Sequence, residues 1–226
     1  MGRQPRFPKE GLEFLRALKR NNRREWFQAH RPDYEQFVRG PMVEFILALA
    51  EDFRRFAPEM VADPAVCLYR IYRDTRFSKD KSPYKTHTAA VFPRRGLAKH
   101  SGAGLYFHIS PSDVLVGGGI YAPQTPELLA VRTYIAGRPK TFRSIVESPG
   151  FRQSFGELGG EKLTRVPRGF PADHPVAGYL KHKQFLAFCS FPAEFAVSPR
   201  FYGTLVDRFR KMMPFLRFLN QTLIKT

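Results

Sequence analysis

The stretch RIYRDTRFSKDKSPYKTH at residues 70–87 holds six Lys and Arg against two Asp. Arg70, Arg73 and Arg76 recur every third residue, Lys79, Lys81 and Lys85 follow, and Tyr72, Phe77 and Tyr84 are interleaved. A guanidinium presents a planar fork of N–H donors that fits a phosphate or carboxylate, and an ammonium adds a point charge. The segment thus carries the equipment of an oxyanion site, with Arg70, Arg73, Arg76, Lys79, Lys81 and Lys85 as its binding residues. Alternation limits how they converge: along a straight strand Arg70 and Arg76 share one face and Arg73 takes the other. One ligand reaches several of them only if the strand ends near Asp74 and residues 75–83 curl back as a loop. Ser78, Asp80, Ser82 and Pro83 suit such a loop. The competing arrangement pairs Asp74 and Asp80 with neighbouring Arg and Lys, which leaves a solvated basic loop or a latch between elements.

If chemistry occurs here, His87 is the leading acid or base, with Asp74 and Asp80 behind it. Cations such as Lys85 are expected to hold His87 neutral near pH 7. Ser78 stands beside Lys79, but no nucleophile elbow or S-x-x-K order surrounds it, so it reads as a loop serine. None of the six histidines has metal-ligand spacing. A site assembled from Asp74, Asp80, His87 and His108 would sit among cations, so no metal and no cofactor is expected. Asn21, Asn22 and Trp26 join two helical segments. They read either as a polar corner facing the basic loop or as a helix start, Asn22 and Glu25 forming a capping box and Trp26 a core anchor, and the second reading is preferred. Tyr84 completes the supporting set. Gly117-Gly118-Gly119 lacks the spacing of a phosphate loop and suits a bulge or a close approach by another segment, such as the basic loop. Asp173-His174-Pro175 reads as the cap of a short helix.

The elements that must position these residues follow from periodicity. Leu12, Leu15 and Leu18 share a helical stripe, a break is expected at Pro32, and Met42, Phe45, Ile46, Leu49, Phe53 and Phe56 keep helical spacing from Pro41 to Pro58. The period then shortens. Residues 66–73, 89–92, 104–110 and 114–121 read as strands, the last two as a hairpin. Helices return with Thr125 as N-cap, residues 149–178 wander with short elements, and Ser198-Pro199 opens a last helix that Pro214 should kink. The fold expected is α+β: a central antiparallel sheet of about three to five strands, within 66–121, covered by N-terminal and C-terminal helices. A single domain, 1–226, is expected, helical over 10–58 and again within 125–226.

Composition bounds the rest. The chain carries 37 Lys and Arg against 20 Asp and Glu, a net charge of +17, with an apolar fraction of 43%. Such a chain folds rather than remaining disordered. The longest apolar run, Phe45–Ala50, falls far short of the roughly 20 residues that span a bilayer. The first residues lack a signal core, and Arg6 stands where a myristoylated chain after Gly2 needs Ser or Thr. A cytoplasmic protein without membrane association is expected. Cys67 and Cys189 are too few for a disulfide framework and read as small buried residues. Residues 162–226 contribute +8 and the first sixty only +3.

Several stretches together resemble a bacterial family grouped as domain of unknown function 2461. They are FLRALKRNNRREWFQAHRPDYEQF at 14–37, RIYRDTRFSKDKSPYKTH at 70–87, GLYFHISP at 104–111, GGGIYAP at 117–123 and PRGFPADHP at 167–175. The resemblance spans nearly the whole chain. It implies one domain and supplies no reaction and no catalytic residues. It does mark the 73–85 block, Asn21-Asn22, Trp26 and Asp173-His174 as family hallmarks.

Three functions are open on these grounds. The first is a binding protein for a phosphate-rich ligand, nucleic acid leading, through the basic loop at 73–85. The second is an enzyme acting on a small phosphorylated or carboxylated substrate held by the same residues. The third is a structural or protein-interaction module in which the basic block is a latch. The oligomeric state is left open.

Overall fold

The structure is a computed structural model that describes residues 4–76 and 78–224; Gly2 and Phe77 therefore lie outside the described residues. Two compact units share the chain. One takes the chain up to Val91 with Tyr106–Val116 and Ser190–Val206; the other takes Phe92–Leu105, Gly117–Cys189 and the chain from Asp207. Among the described residues no helix is long and apolar enough to cross a membrane.

In the first unit, helix α1 (Lys9–Arg20) buries the expected stripe of Leu12, Leu15 and Leu18 together with Phe14. Helices α2 (Arg24–Ala29) and α3 (Arg31–Tyr34) follow, and a π-helical turn at Glu35–Arg39 leads into α4 (Gly40–Phe56). The expected break falls at His30, between α2 and α3, and Pro32 sits in the first turn of α3, where a missing N–H leaves nothing unsatisfied. Met42, Phe45, Ile46, Leu49 and Phe53 of α4 are buried, each burial contributing roughly 1.5–3 kcal/mol. Phe45 packs against Phe107, Phe201 and Tyr202, and the Tyr202 hydroxyl donates to Asp52 at 2.7 Å.

Residues 66–73 correct the expected first strand. Asp63 caps a helical turn, α5 (Pro64–Cys67), by accepting from the Ala65 N–H at 2.8 Å, and this local signal overrides the β-propensity of Val66. Beyond it the chain forms no strand but pairs through isolated bridges, Leu68 with Ala90 and Tyr72 with Tyr84. Arg73 N–H reaches the Pro83 carbonyl at 2.9 Å, and Pro83 has no N–H with which to continue a ladder.

The sheet comprises β1 (Thr88–Phe92), β2 (Gly104–Ile109), β3 (Asp113–Ile120) and β4 (Phe185–Pro192). It is antiparallel in the order β1-β2-β3-β4, so the fold is α+β. β4 lies outside the expected range of 66–121. In β2, Leu105, Phe107 and Ile109 are buried while Tyr106 and His108 on the opposite face are half-exposed.

In the second unit, α6 (Thr125–Gly137) begins one residue earlier than expected, with Gln124 as the cap and its N–H donating to Glu127 at 2.9 Å. Helices α7 (Pro139–Val146), α8 (Pro149–Phe155) and α9 (Ala177–Leu180) follow, and α10 (Phe201–Asn220), which belongs to this unit only from Asp207 onward, runs on through Pro214. The glycine run serves a close approach, though not by the basic loop. A Cβ at Gly118 would lie 2.5 Å from the Met212 sulfur, and one at Gly119, where φ is +127°, would run into the Phe185 carbonyl. The Asn220 side chain holds both main-chain groups of Ala103, at 2.8 and 2.9 Å. Cys67 is buried, whereas Cys189 is only half-buried.

Candidate anion loop and histidine relay

All the residues singled out between Asn21 and His87 lie in the first unit. The loop between the bridged segments curls back as the sequence requires, but its cations take separate partners. Arg73 pairs with Asp80 and its other Nη lies 3.4 Å from Ser78 Oγ. Arg76 holds Asp74 through two bonds, at 3.0 and 2.7 Å. Lys81 donates to the Thr75 carbonyl at 2.9 Å, and Lys85 to the Arg70 carbonyl at 3.0 Å while lying 5.1 Å over the Tyr69 ring. Arg70 and Lys79 are exposed. Hydrogen bonds from Arg76 hold the Asp74 carboxyl down at about 2. Bonds from Ser82 and Arg73 hold Asp80 lower still. Both carboxylates are therefore charged at neutral pH and act as fixed counter-ions rather than acids or bases.

Asn21 and Asn22 divide their tasks. Asn21 closes α1, its side chain donating to the Ala17 carbonyl at 3.0 Å. Asn22 forms no capping box; the N-cap of α2 is Arg23, without a side-chain bond. Its amide is spent on the basic segment instead, donating to the Tyr84 carbonyl at 2.9 Å and accepting the Tyr84 N–H at 3.1 Å. Tyr84 is 1% exposed and stacks on Phe27 at 4.1 Å. Trp26 stacks on His30 at 4.1 Å and tilts against Phe14, so one face of its ring is already covered.

Beside the loop lies a cluster that the sequence reading did not assemble. His108 Nε2 lies 3.5 Å from Asp113 Oδ2, and Tyr106 Oη lies 3.1 Å from His108 Nδ1. With the Nε2 proton directed at Asp113, Nδ1 accepts from the Tyr106 hydroxyl, which gives a Tyr–His–Asp relay. Burial tends to raise Asp113, but bonds from Ser110, Ser112 and His108 outweigh it and lower its pKa. Burial lowers His108 against the pull of Asp113. His87 lies 5.5 Å from His108, centroid to centroid, and is pushed down to about 4. The main cause is burial, then His108, and only then Lys85, so the cations are the smaller part of what keeps this ring neutral. The Tyr69 ring packs on Tyr106 at 6.5 Å, so Lys85 belongs to the loop and to the edge of the relay. The signal was present in GLYFHIS: alternation puts Tyr106 and His108 on one face, and the turn after Ser110 brings Asp113 back alongside.

Among the described residues no group of three or more His, Cys, Asp and Glu is placed to hold a metal ion.

The model of a family described as "Conserved hypothetical protein (DUF2461)" matches residues 10–218. The chain belongs to this family. The DUF2461 match takes in the loop, the Asn22 clamp and the relay together. No curated protein and no solved structure is similar enough to the chain to match.

Proposed function

We propose that this protein binds a phosphate-bearing ligand, nucleic acid foremost, through the basic loop at 73–85. The observation that carries this reading is the solvation of the loop's ion pairs. The Arg76 and Asp74 side chains are 76% and 46% exposed, and Asp80 is 59% exposed. Exposed pairs contribute little to stability and exchange readily, so a phosphate can displace a carboxylate without stranding a buried charge. Arg70 and Lys79 stand exposed in the same segment, and Tyr72 offers a solvent-facing ring for stacking. The net charge of +17 adds long-range attraction. The test is fluorescence anisotropy of a labelled single-stranded oligonucleotide between about 50 and 200 mM salt. Expected is binding that falls steeply with salt and weakens in the Arg70→Gln, Lys79→Gln double variant. Salt-insensitive binding, or none, would defeat the nucleic-acid reading.

The Tyr106–His108–Asp113 relay favours a second reading, acid–base chemistry on a small phosphorylated or carboxylated substrate. His108 would take the proton from the Tyr106 hydroxyl and His87 would serve as a neutral acceptor, while Lys85 held the anion. Saturable movement of the His87 and His108 ring resonances on adding inorganic phosphate, without oligonucleotide binding, would select it. A purely structural latch has less support, because the Arg73–Asp80 and Arg76–Asp74 pairs join residues of the loop to one another.

A further inference from the structure

The Asn22 clamp fixes the corner where α1, α2 and α3 meet against the basic segment, all within the first unit. Phe27 of α2 stacks on Tyr84 at 4.1 Å and meets Tyr72 at 6.4 Å, and Tyr72 meets Tyr84 at 5.4 Å. Tyr72 is the outermost ring of this trio: it is 46% exposed, whereas Phe27 and Tyr84 are buried. The two buried rings meet it at 60° and 47°, so neither lies flat on it. Its exposed side can therefore take a flat partner, unlike the ring of Trp26, which His30 already covers at an interplanar angle of 14°.

Two arginines flank the same rings. Burial raises the Tyr84 pKa, and the charges that then act on its hydroxyl are those of Tyr72, Arg24, Glu25 and Arg31. The side chains of α2 and α3 thus come within electrostatic reach of the trio. Arg24 and Arg31 are exposed, and among the described residues neither takes part in an ion pair. Residues 19–31 hold five Lys and Arg against Glu25, and Glu35 beyond them is held by Arg39 at 3.4 Å. An unpaired guanidinium in solvent beside an accessible aromatic ring suits a phosphate and the base attached to it. Base faces are accessible in an unpaired strand and hidden within a duplex.

We propose, on the reading that the basic loop binds nucleic acid, that the binding surface continues across the α2–α3 corner and takes a single strand in preference to a duplex. Tyr72 stacks on one base, and Arg24 and Arg31 hold phosphates on the side away from the loop.

The test compares the fluorescence anisotropy of a labelled oligothymidylate of about 12 nucleotides with that of a labelled duplex of the same length, between about 50 and 200 mM salt. Expected is single-strand binding at least about tenfold tighter than duplex binding. Tyr72→Leu brings the single strand down to the affinity of the duplex, whereas Tyr72→Phe, which keeps the ring, preserves the preference. Arg24→Gln with Arg31→Gln, exposed substitutions that leave the circular dichroism unchanged, reduces the slope of log affinity against log salt by about 1.4, the value for two phosphate contacts on a single strand. Three results would each overturn the proposal while leaving the loop reading in place: equal affinity for strand and duplex, loss of the preference in Tyr72→Phe, or an Arg24, Arg31 variant unchanged in affinity and slope while Arg70→Gln with Lys79→Gln binds more weakly. Binding of neither oligonucleotide by the unaltered protein would remove both.

Discussion

The side-chain amide of Asn22 engages the main chain of Tyr84 at both of its polar groups, accepting from the N–H at 3.1 Å and donating to the carbonyl at 2.9 Å. It replaces the strand that Tyr84 otherwise meets only at a single bridge, to Tyr72. Asn22→Ala removes both bonds and is expected to cost about 1–3 kcal/mol, read as a lower urea midpoint at unchanged slope. Asn22→Asp keeps the acceptor but sets a carboxylate against a carbonyl, and should be no more stable than the alanine variant.

Gly119 and Gly96 provide a matched pair. Both have positive φ, +127° and +83°, yet a Cβ at Gly96 meets open space whereas one at Gly119 meets the Phe185 carbonyl. Gly96→Ala should therefore cost only backbone strain, about 1–2 kcal/mol. Gly119→Ala adds a collision between backbone atoms and should cost more than about 3 kcal/mol or prevent folding. Thermal unfolding of the two variants decides the matter; equal losses would mean that β4 does not crowd Gly119.

Much of this architecture is legible in the residues. The Leu12, Leu15, Leu18 stripe and the α4 spacing need only a period near 3.6, and β2 only a period of two, because one face of each meets a core. β4 was not legible: FLAFCSFP follows a run of Lys and His, and its only warrant as a strand is β3, which lies far away in sequence. Asn22 misled for a related reason. An Asn three residues before a Glu satisfies a local capping pattern, but the donor and acceptor it serves belong to Tyr84, 62 positions on. The meeting of His87 with the relay was hidden for another reason. Its residues were visible, but the proximity of His87 to His108 depends on β1 lying beside β2, which no spacing in the chain states.

Acid should act through His87. Its folded pKa, about 4, lies below the ordinary 6.5, so between these values the unfolded chain binds the proton that the folded chain refuses. Stability is then full above pH 6.5 and declines as pH falls towards 4. His87→Gln should lessen the fall of the urea midpoint over that window, leaving the share of His108 and His182, which burial also lowers. An unchanged pH profile in the variant would assign the decline to other groups.

Asp80→Asn and Asp74→Asn test the counter-ion role of the loop carboxylates. Each breaks an ion pair with an exposed carboxylate, Arg73–Asp80 or Arg76–Asp74, so the urea midpoint should move little and oligonucleotide affinity should rise with a steeper salt dependence. Weakened binding in both variants would mean that the carboxylates preorganise the arginines rather than compete for them.

The place of β4 in the chain has a consequence during synthesis. β3 ends at Ile120 and its outer neighbour begins at Phe185. At about 5–20 residues per second, a ribosome takes roughly 3–13 s to deliver the intervening chain. Throughout that interval the outer edge of β3, with VLVGGGI, offers unpaired N–H and C=O groups to any other nascent strand. Gly117, Gly118 and Gly119 at its end then have a second use. A glycine-rich strand end has weak β-propensity, which keeps this edge a poor template until the strand that only glycine can admit arrives.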